Sequence, residues 1–242
     1  MPQFFIDPKD IHENFATLRG EEVKHLTRVL RYDVGDKLWV SDGKTQYLGE
    51  IVSITKGEAK LKILQQQEPT LVAAPPIIAI ALLKHDNLEI VLQKCVELGI
   101  REFHLLITAR TIPHYSESTT PKKLARWEKI VFEAAKQSGM PSLPKIHPPV
   151  PFANFVQTFS DYSDVILAYE GEKETRLKNQ IKEIDTKNFV VLIGPEGGWT
   201  EDEVTLAKKA GAKTVSLGGQ MLRAETAAIA TATLCQYELG NI

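Results

Sequence analysis

The chain has 242 residues, with 43% hydrophobic and 25% charged side chains, 15 Gly and 13 Pro. Those proportions are globular and exclude a disordered, collagen-like or coiled-coil chain, and no apolar run approaches the ~18 residues that a membrane span needs. The formal net charge of −2 excludes a generally basic surface, so a polyanion would meet local patches only.

At about 150 residues per domain, the length leaves one or two domains open. The start, Met1 to Asp7, lacks the basic stretch and apolar core of an export signal. Cys95 and Cys235 stand alone without CxxC spacing, which argues against a zinc site or a disulfide framework. A cytoplasmic, reducing setting with no membrane and no metal is the expectation. Residues 1–70, 71–150 and 151–242 carry balances of −1, +3 and −4.

Within residues 1–70, Val23, Leu26, Val29 and Leu30 recur at helical spacing over Glu21 to Tyr32. Lys24, His25, Arg28 and Arg31 make this stretch a basic patch, readable as a contact for a polyanion or as a solvated helix face. Short runs follow at Lys37–Val40, Tyr47–Thr55 and Ala59–Leu64, with turns at Asp42-Gly43 and Lys56-Gly57. Such spacing suggests a small β-barrel. The Gln-rich stretch to Pro69-Thr70, followed by Pro75-Pro76, is the expected boundary between a domain 1–70 and a domain 72–242.

From residue 77 strands and helices alternate. Ile77–Leu83 is a continuous apolar run, as in a strand buried on both faces. Asp86 with Glu89 reads as a capping box opening a helix that Gly99 stops. Phe103–Ile107, Asp164–Tyr169, Phe189–Ile193 and Thr214–Leu217 read as further strands. Helices are expected from Thr120 to Gly139, from the Thr200/Glu203 pair to Gly211, and over Ala224–Leu239. The alternation predicts an α/β fold with a mostly parallel sheet.

Two segments after strands are poor packing material. Gly194-Pro195-Glu196-Gly197-Gly198 has the freedom to turn sharply and let backbone approach a ligand, or is a tight connecting turn. It is no phosphate loop, since GxxxxGK[ST] is absent and Glu196 repels a phosphate. Gly218-Gly219-Gln220-Met221-Leu222-Arg223-Ala224-Glu225 leads into the last helix. Glu225 suits that helix N-terminus electrostatically, whereas Arg223 there wants an anionic partner.

Taken with His25-Leu26-x-x-Val29-Leu30-Arg31, Gln93-Lys94, Glu97-Leu98-Gly99, Arg110, Arg126-Trp127, Glu133-Ala134-Ala135-x-Gln137-Ser138-Gly139 and Leu222-Arg223-x-Glu225-Thr226, these segments resemble the RsmE family of SPOUT methyltransferases. The likeness runs in order along essentially the whole chain. It implies a PUA-like RNA-binding barrel followed by a deep trefoil knot that binds S-adenosylmethionine (SAM), in a homodimer. The implied activity is methylation of N3 of a uridine in 16S ribosomal RNA, on the RNA or on an assembling small subunit.

By the same likeness the cofactor loops are Leu167, Ala168, Tyr169 and Glu170; Leu192, Ile193, Gly194, Pro195, Glu196, Gly197 and Gly198; and Leu217, Gly218, Met221, Leu222 and Thr226. Arg223 and Glu225 are the implied catalytic pair, Glu225 as base for the N3 proton and Arg223 as stabiliser of developing oxyanion charge or as a phosphate grip. Lys24, His25, Arg28, Arg31, Lys84, Arg110, Arg126 and Gln137 are the implied RNA contacts. Met140 and Asn87-Leu88 stand where many relatives carry basic residues. The alternatives are a SPOUT ribose 2′-O-methyltransferase and a catalytically silent RNA-binding assembly factor.

Overall fold

The alternating runs and the continuous apolar runs build two different sheets in the computed structural model, which describes residues 3–68, 73–112 and 120–242. One unit comprises residues 1–70 with 133–143, and the other residues 71–132 with 144–242. The expected linker end at Pro69-Thr70 lies outside the described residues.

In the first unit, β1 (Gln3–Phe5), β2 (Ile11–His12), β3 (Phe15–Arg19), β4 (Lys37–Ser41), β5 (Gln46–Ile54) and β6 (Glu58–Gln67) form a sheet. Its order is β1-β4-β5-β6-β3-β2, with β1 parallel to β4 and the other pairs antiparallel. Alternate residues point inward: Ala16 and Leu18, Leu38 and Val40, Ala59 and Leu61 are buried with Phe4 and Leu26. The Gln-rich run is strand rather than linker, since Gln65, Gln66 and Gln67 pair with Leu48, Tyr47 and Gln46.

The single helix expected over Glu21–Tyr32 is shorter. Helix α1 (Glu21–Lys24) passes into a π-helical turn, His25–Val29, in which Leu30 N donates to His25 O at 3.1 Å. The Thr27 hydroxyl donates back to Val23 O at 2.8 Å, a bond that competes with regular helix. Arg31 then adopts φ +57°, a left-handed conformation that ends the turn. Residues 133–143 complete this unit. Lys136 is buried and ion-pairs with Glu22 at 2.9 Å. Met140 is buried as well, and its carbonyl accepts from Gln3 Nε2 at 2.6 Å. An apolar side chain at 140 therefore fills core.

The second unit contains, in chain order, β7 (Ile77–Ala81), α2 (Asn87–Glu97), β8 (Glu102–Ile107), α3 (Thr120–Ser138, whose last residues belong to the first unit), β9 (Lys145–Ile146), β10 (Val150–Pro151) and α4 (Phe152–Val156). It continues with β11 (Asp164–Ala168), α5 (Leu177–Ile181), β12 (Phe189–Ile193), α6 (Glu201–Lys209), β13 (Lys213–Val215) and α7 (Ala224–Glu238). The strand order is β10-β8-β7-β12-β11-β13, with β9 also on β8, and every pair is parallel. Burial on both faces explains the unbroken apolar runs: Ile78–Ala81 and Phe189–Ile193 are almost wholly inaccessible.

The Thr200/Glu203 capping box is formed, with Thr200 N donating to Glu203 Oε2 at 2.9 Å and Glu203 N to Thr200 Oγ1 at 3.2 Å. The Asp86/Glu89 box is not. Asp86 makes no capping bond, and the Glu89 carboxylate instead takes Arg126 Nη2 at 2.7 Å. A charged partner across the surface outcompetes the backbone amide. Helix α7 packs against α2, α5, β7 and β12. No helix among the described residues is long and apolar enough to cross a membrane.

Candidate active site

In an open parallel sheet, ligands bind beyond the carboxyl ends of the strands. A cavity of about 770 Å³ opens there, lined by segments after β7, β11, β12 and β13 and by the first turn of α7. That volume suits a ligand of cofactor size.

Hydrogen bonds hold the segments to one another. Trp199 Nε1 donates to Ala168 O at 3.0 Å, tying the loop after β12 to the end of β11. Arg110 Nη1 donates to Gly197 O at 2.6 Å. Glu196 Oε1 accepts from Lys84 N at 2.8 Å, and Glu203 Oε1 from Ala109 N at 2.8 Å. Glu172 stiffens the base of the next loop. It accepts from Thr214 Oγ1 at 2.6 Å and from the amides of Glu174 and Thr175 at 2.9 and 3.2 Å. Those bonds, the Thr214 hydroxyl first, hold its carboxyl down to about 2.

The glycines after β12 leave no room for side chains. A Cβ on Gly194 would lie 3.0 Å from Trp199 Nε1, and one on Gly197 would lie 3.2 Å from Arg110 Cβ. Gly198 has φ +70°, closes the turn with its N–H on Pro195 O at 2.9 Å, and a Cβ there would strike the Glu170 carboxylate. Only glycine fits that position without strain.

Most of the cofactor residues expected from the sequence line this one cavity: Ala168, Tyr169, Glu170, Ile193 to Gly198, Leu217, Gly218, Met221 and Leu222. Leu167 and Leu192 do not. Both are fully buried in the sheet core, where the strand pleat turns them away from the loop. Thr226 is exposed outside the lining. His85, Trp199, Ser216 and Gln220 line it too, and strand-end position was the signal for them.

Arg223 and Glu225 both reach the cavity. Arg223 is the N-cap residue of α7; its carbonyl accepts from Ala227 N at 2.8 Å, and its side chain makes no hydrogen bond or ion pair among the described residues. Glu225 Oε2 is inaccessible and without a hydrogen-bond partner, so the carboxylate does not cap its helix. A buried carboxylate oxygen with no partner costs free energy unless a ligand uses it.

The expected RNA contacts fall in several places. Lys24, His25, Arg28 and Arg31 lie on α1 and the π-helical turn of the first unit. Lys24 pairs with Glu21, and His25 Nδ1 lies 3.1 Å from Lys136 Nζ. Arg28 and Arg31 are exposed, and their side chains make no hydrogen bond or ion pair among the described residues. Gln137 is exposed late in α3. In the second unit Lys84 lines the cavity, Arg110 is bonded to the cavity loop, and Arg126 is engaged by Glu89 and, at 3.6 Å, by Asp86.

Residues 73–236 match the RNA methyltransferase domain family, and residues 18–64 match the RNA methyltransferase PUA domain. The ribosomal RNA small subunit methyltransferase E of Synechocystis is 35% identical, over 92% of this chain and 73% of its own. That of Mesomycoplasma hyopneumoniae is 30% identical over 97% of this chain and 99% of its own. The crystal structure of the Neisseria gonorrhoeae enzyme bound to S-adenosyl methionine is 28% identical, with a TM-score of 0.84 over 98% of this chain and 97% of that one. A Legionella pneumophila structure with SAM bound is 26% identical, with a TM-score of 0.82 over 97% and 96%. With an α/β methyltransferase fold behind a PUA-like N-terminal domain, this chain belongs to the RNA methyltransferase family that contains these ribosomal RNA methyltransferases.

Proposed function

We propose that this chain is a SAM-dependent methyltransferase acting on N3 of a uridine in small-subunit ribosomal RNA. The observation that carries the reading is the unpartnered Glu225 carboxylate beside the unpaired Arg223, on the rim of a glycine-cradled cavity. The relatives' names and the SAM-bound neighbours support it.

The lining fits SAM. Backbone of 168–170, 193–198 and 217–218 can hold an adenine edge and a ribose, and Met221, 85% exposed, has apolar surface for a ring to cover. Glu170 and Glu196 supply negative charge for a sulfonium. SAM, when bound, supplies an electrophilic methyl group. Neutral uracil carries a proton on N3, so an acceptor lone pair appears only as that proton leaves. Glu225 is the group suited to take it. Arg223 is suited to hold the charge that then develops on a uracil carbonyl, or the nucleotide's phosphate. Because N3 lies on the pairing edge, the uridine must be unpaired or flipped out.

Arg28 and Arg31 are the proposed phosphate grips of the PUA-like unit, with Lys24, His25 and Gln137 as further proposed contacts. Lys84 and Arg110 serve at the cavity, whereas the ion-paired Arg126 is the weakest of the set. We also propose the trefoil knot. β13 lies at the sheet edge beyond β11, yet α7 returns to pack on β7 and β12. A homodimer and a cytoplasmic setting complete the reading. Among the small residues of α7, Ala228, Thr231 and Ala232 are buried in the chain's own core. The exposed residues Leu234 and Tyr237 of α7, with the half-buried Ala230, are the proposed dimer seam.

Nucleoside mass spectrometry of ribosomal RNA, with and without the gene, tests the function. Loss of a base-methylated uridine supports it. Loss of a ribose methyl points to 2′-O transfer, and an unchanged profile to a silent assembly factor.

A further inference from the structure

A convergent donor set sits at the other end of the sheet, where methyl transfer has no use for it. Glu102 and His104 are alternate residues of β8 and project from the same face. β9 runs parallel beside them, with Lys145 opposite Glu102 and Ile146 opposite Phe103. His147 continues that register, and its N–H donates to Phe103 O at 2.9 Å. The His104 and His147 rings therefore stack, centroids 4.0 Å apart and planes 8° from parallel.

Both rings turn Nε2 toward one oxygen. His147 Nε2 lies 2.7 Å from Glu102 Oε1 and His104 Nε2 lies 3.5 Å from it. The Tyr162 hydroxyl lies 3.2 Å from His104 Nε2, and Phe155 packs on the His104 ring with centroids 4.9 Å apart. One ligand atom from each of Glu102, His104 and His147 falls within 4.8 Å of the others. A single carboxylate oxygen facing two imidazole nitrogens is an uneconomical hydrogen-bond arrangement but a natural ligand set. Around a tetrahedral Zn²⁺ with ~2.0–2.1 Å bonds, neighbouring ligand atoms stand about 3.3–3.5 Å apart. His104 and Glu102 already meet that spacing. Because each imidazole lone pair lies in its ring plane, the two stacked rings must tilt out of their near-parallel planes, and His147 must draw back by about 0.6 Å, for both Nε2 atoms to face one ion.

We propose that Glu102, His104 and His147 bind Zn²⁺, with a water in the fourth position beside the Tyr162 hydroxyl. Two imidazoles and one carboxylate suit this borderline ion better than Mg²⁺ or Ca²⁺, which take oxygen ligands. The lone cysteines argue nothing against it, because both are buried elsewhere and take no part. Glu102 opens β8, at the end of the parallel sheet away from the cavity, so the ion is a staple between β8 and β9 and not a participant in methyl transfer.

The test is calorimetric titration of the chelator-treated full-length protein with ZnCl₂, with Co²⁺ as a spectroscopic stand-in. One Zn²⁺ per chain, intense tetrahedral-type Co²⁺ absorption and a raised thermal midpoint are expected. His147→Asn and Glu102→Gln should each weaken binding about tenfold or more, with circular dichroism unchanged. Three results would each overturn the site: no stoichiometric binding, weak octahedral-type Co²⁺ absorption, or undiminished affinity in both folded variants.

Discussion

Glu225→Gln separates the chemistry from the scaffold. The substitution keeps the shape of a side chain whose Oε2 is inaccessible and unpartnered, and it removes the charge and the basicity. Because no backbone amide depends on that oxygen, no capping bond of α7 is lost. The substitution keeps the volume and leaves the helix backbone bonds untouched. Thermal stability should therefore stay level, where loss of an N-cap would lower it by about 1 kcal/mol. The single-turnover rate should fall by roughly 10²–10⁴, the contribution typical of a positioned general base. At 1.36 kcal/mol per decade that is about 3–5 kcal/mol of barrier. Raising the pH should restore part of the rate, since solvent then supplies more of the N3-deprotonated uridine, about tenfold per pH unit below its pKa. The assay is rapid-quench methyl transfer from SAM, with SAM affinity measured by calorimetry in parallel. A folded variant with near-wild-type single-turnover rate would refute Glu225 as the base, and a drop in stability would return it to a structural role.

Gly198→Ala should fold with a loss of about 1–2 kcal/mol, since φ +70° suits glycine. It should also weaken SAM binding by pushing the Glu170 carboxylate aside; unchanged affinity would remove this turn from the site. Arg28→Ala with Arg31→Ala should lower the slope of log affinity for RNA against log salt by roughly 0.7–0.9 per lost phosphate contact, with SAM affinity unaltered. An unchanged slope makes them a solvated face. Leu234→Glu with Tyr237→Glu should shift light-scattering mass toward the 27.0 kDa of a single chain, and a wild type already at that mass would contradict the dimer. The carboxyl of Glu172 lies at about 2 against an ordinary 4.5, so its contribution is present above about pH 4.5 and lost as pH falls toward 2. Glu172→Gln should flatten that acid limb of the thermal midpoint, and an unaltered limb would show that Glu172 does not set it.

What could be read from the sequence was what is local. The Thr200/Glu203 box involves residues three apart and a bond within one turn, so its pattern suffices. Glu203 Oε1 also accepts from Ala109 N, a contact between distant segments that no pattern carries. Asp86 and Glu89 have the same local signature and fail, because Arg126 arrives from α3 and takes the carboxylate. β3 has no clear signature in the sequence although Ala16 and Leu18 alternate inward, because what holds it as a strand is its pairing with the distant β6. The site was legible as strand-end glycines and an Arg-x-Glu pair. The inaccessible, unpartnered Oε2 of Glu225 was not, because it depends on how α7 packs behind the cavity.

The most direct measurement is an in vitro reaction of the purified chain with SAM bearing a deuterated methyl group and with small-subunit ribosomal RNA, free or in assembled subunits. After digestion to nucleosides, mass spectrometry should find the heavy methyl on N3 of uridine, and Glu225→Gln should greatly reduce it at neutral pH. A heavy methyl on a ribose oxygen, or none with either substrate, would contradict the account.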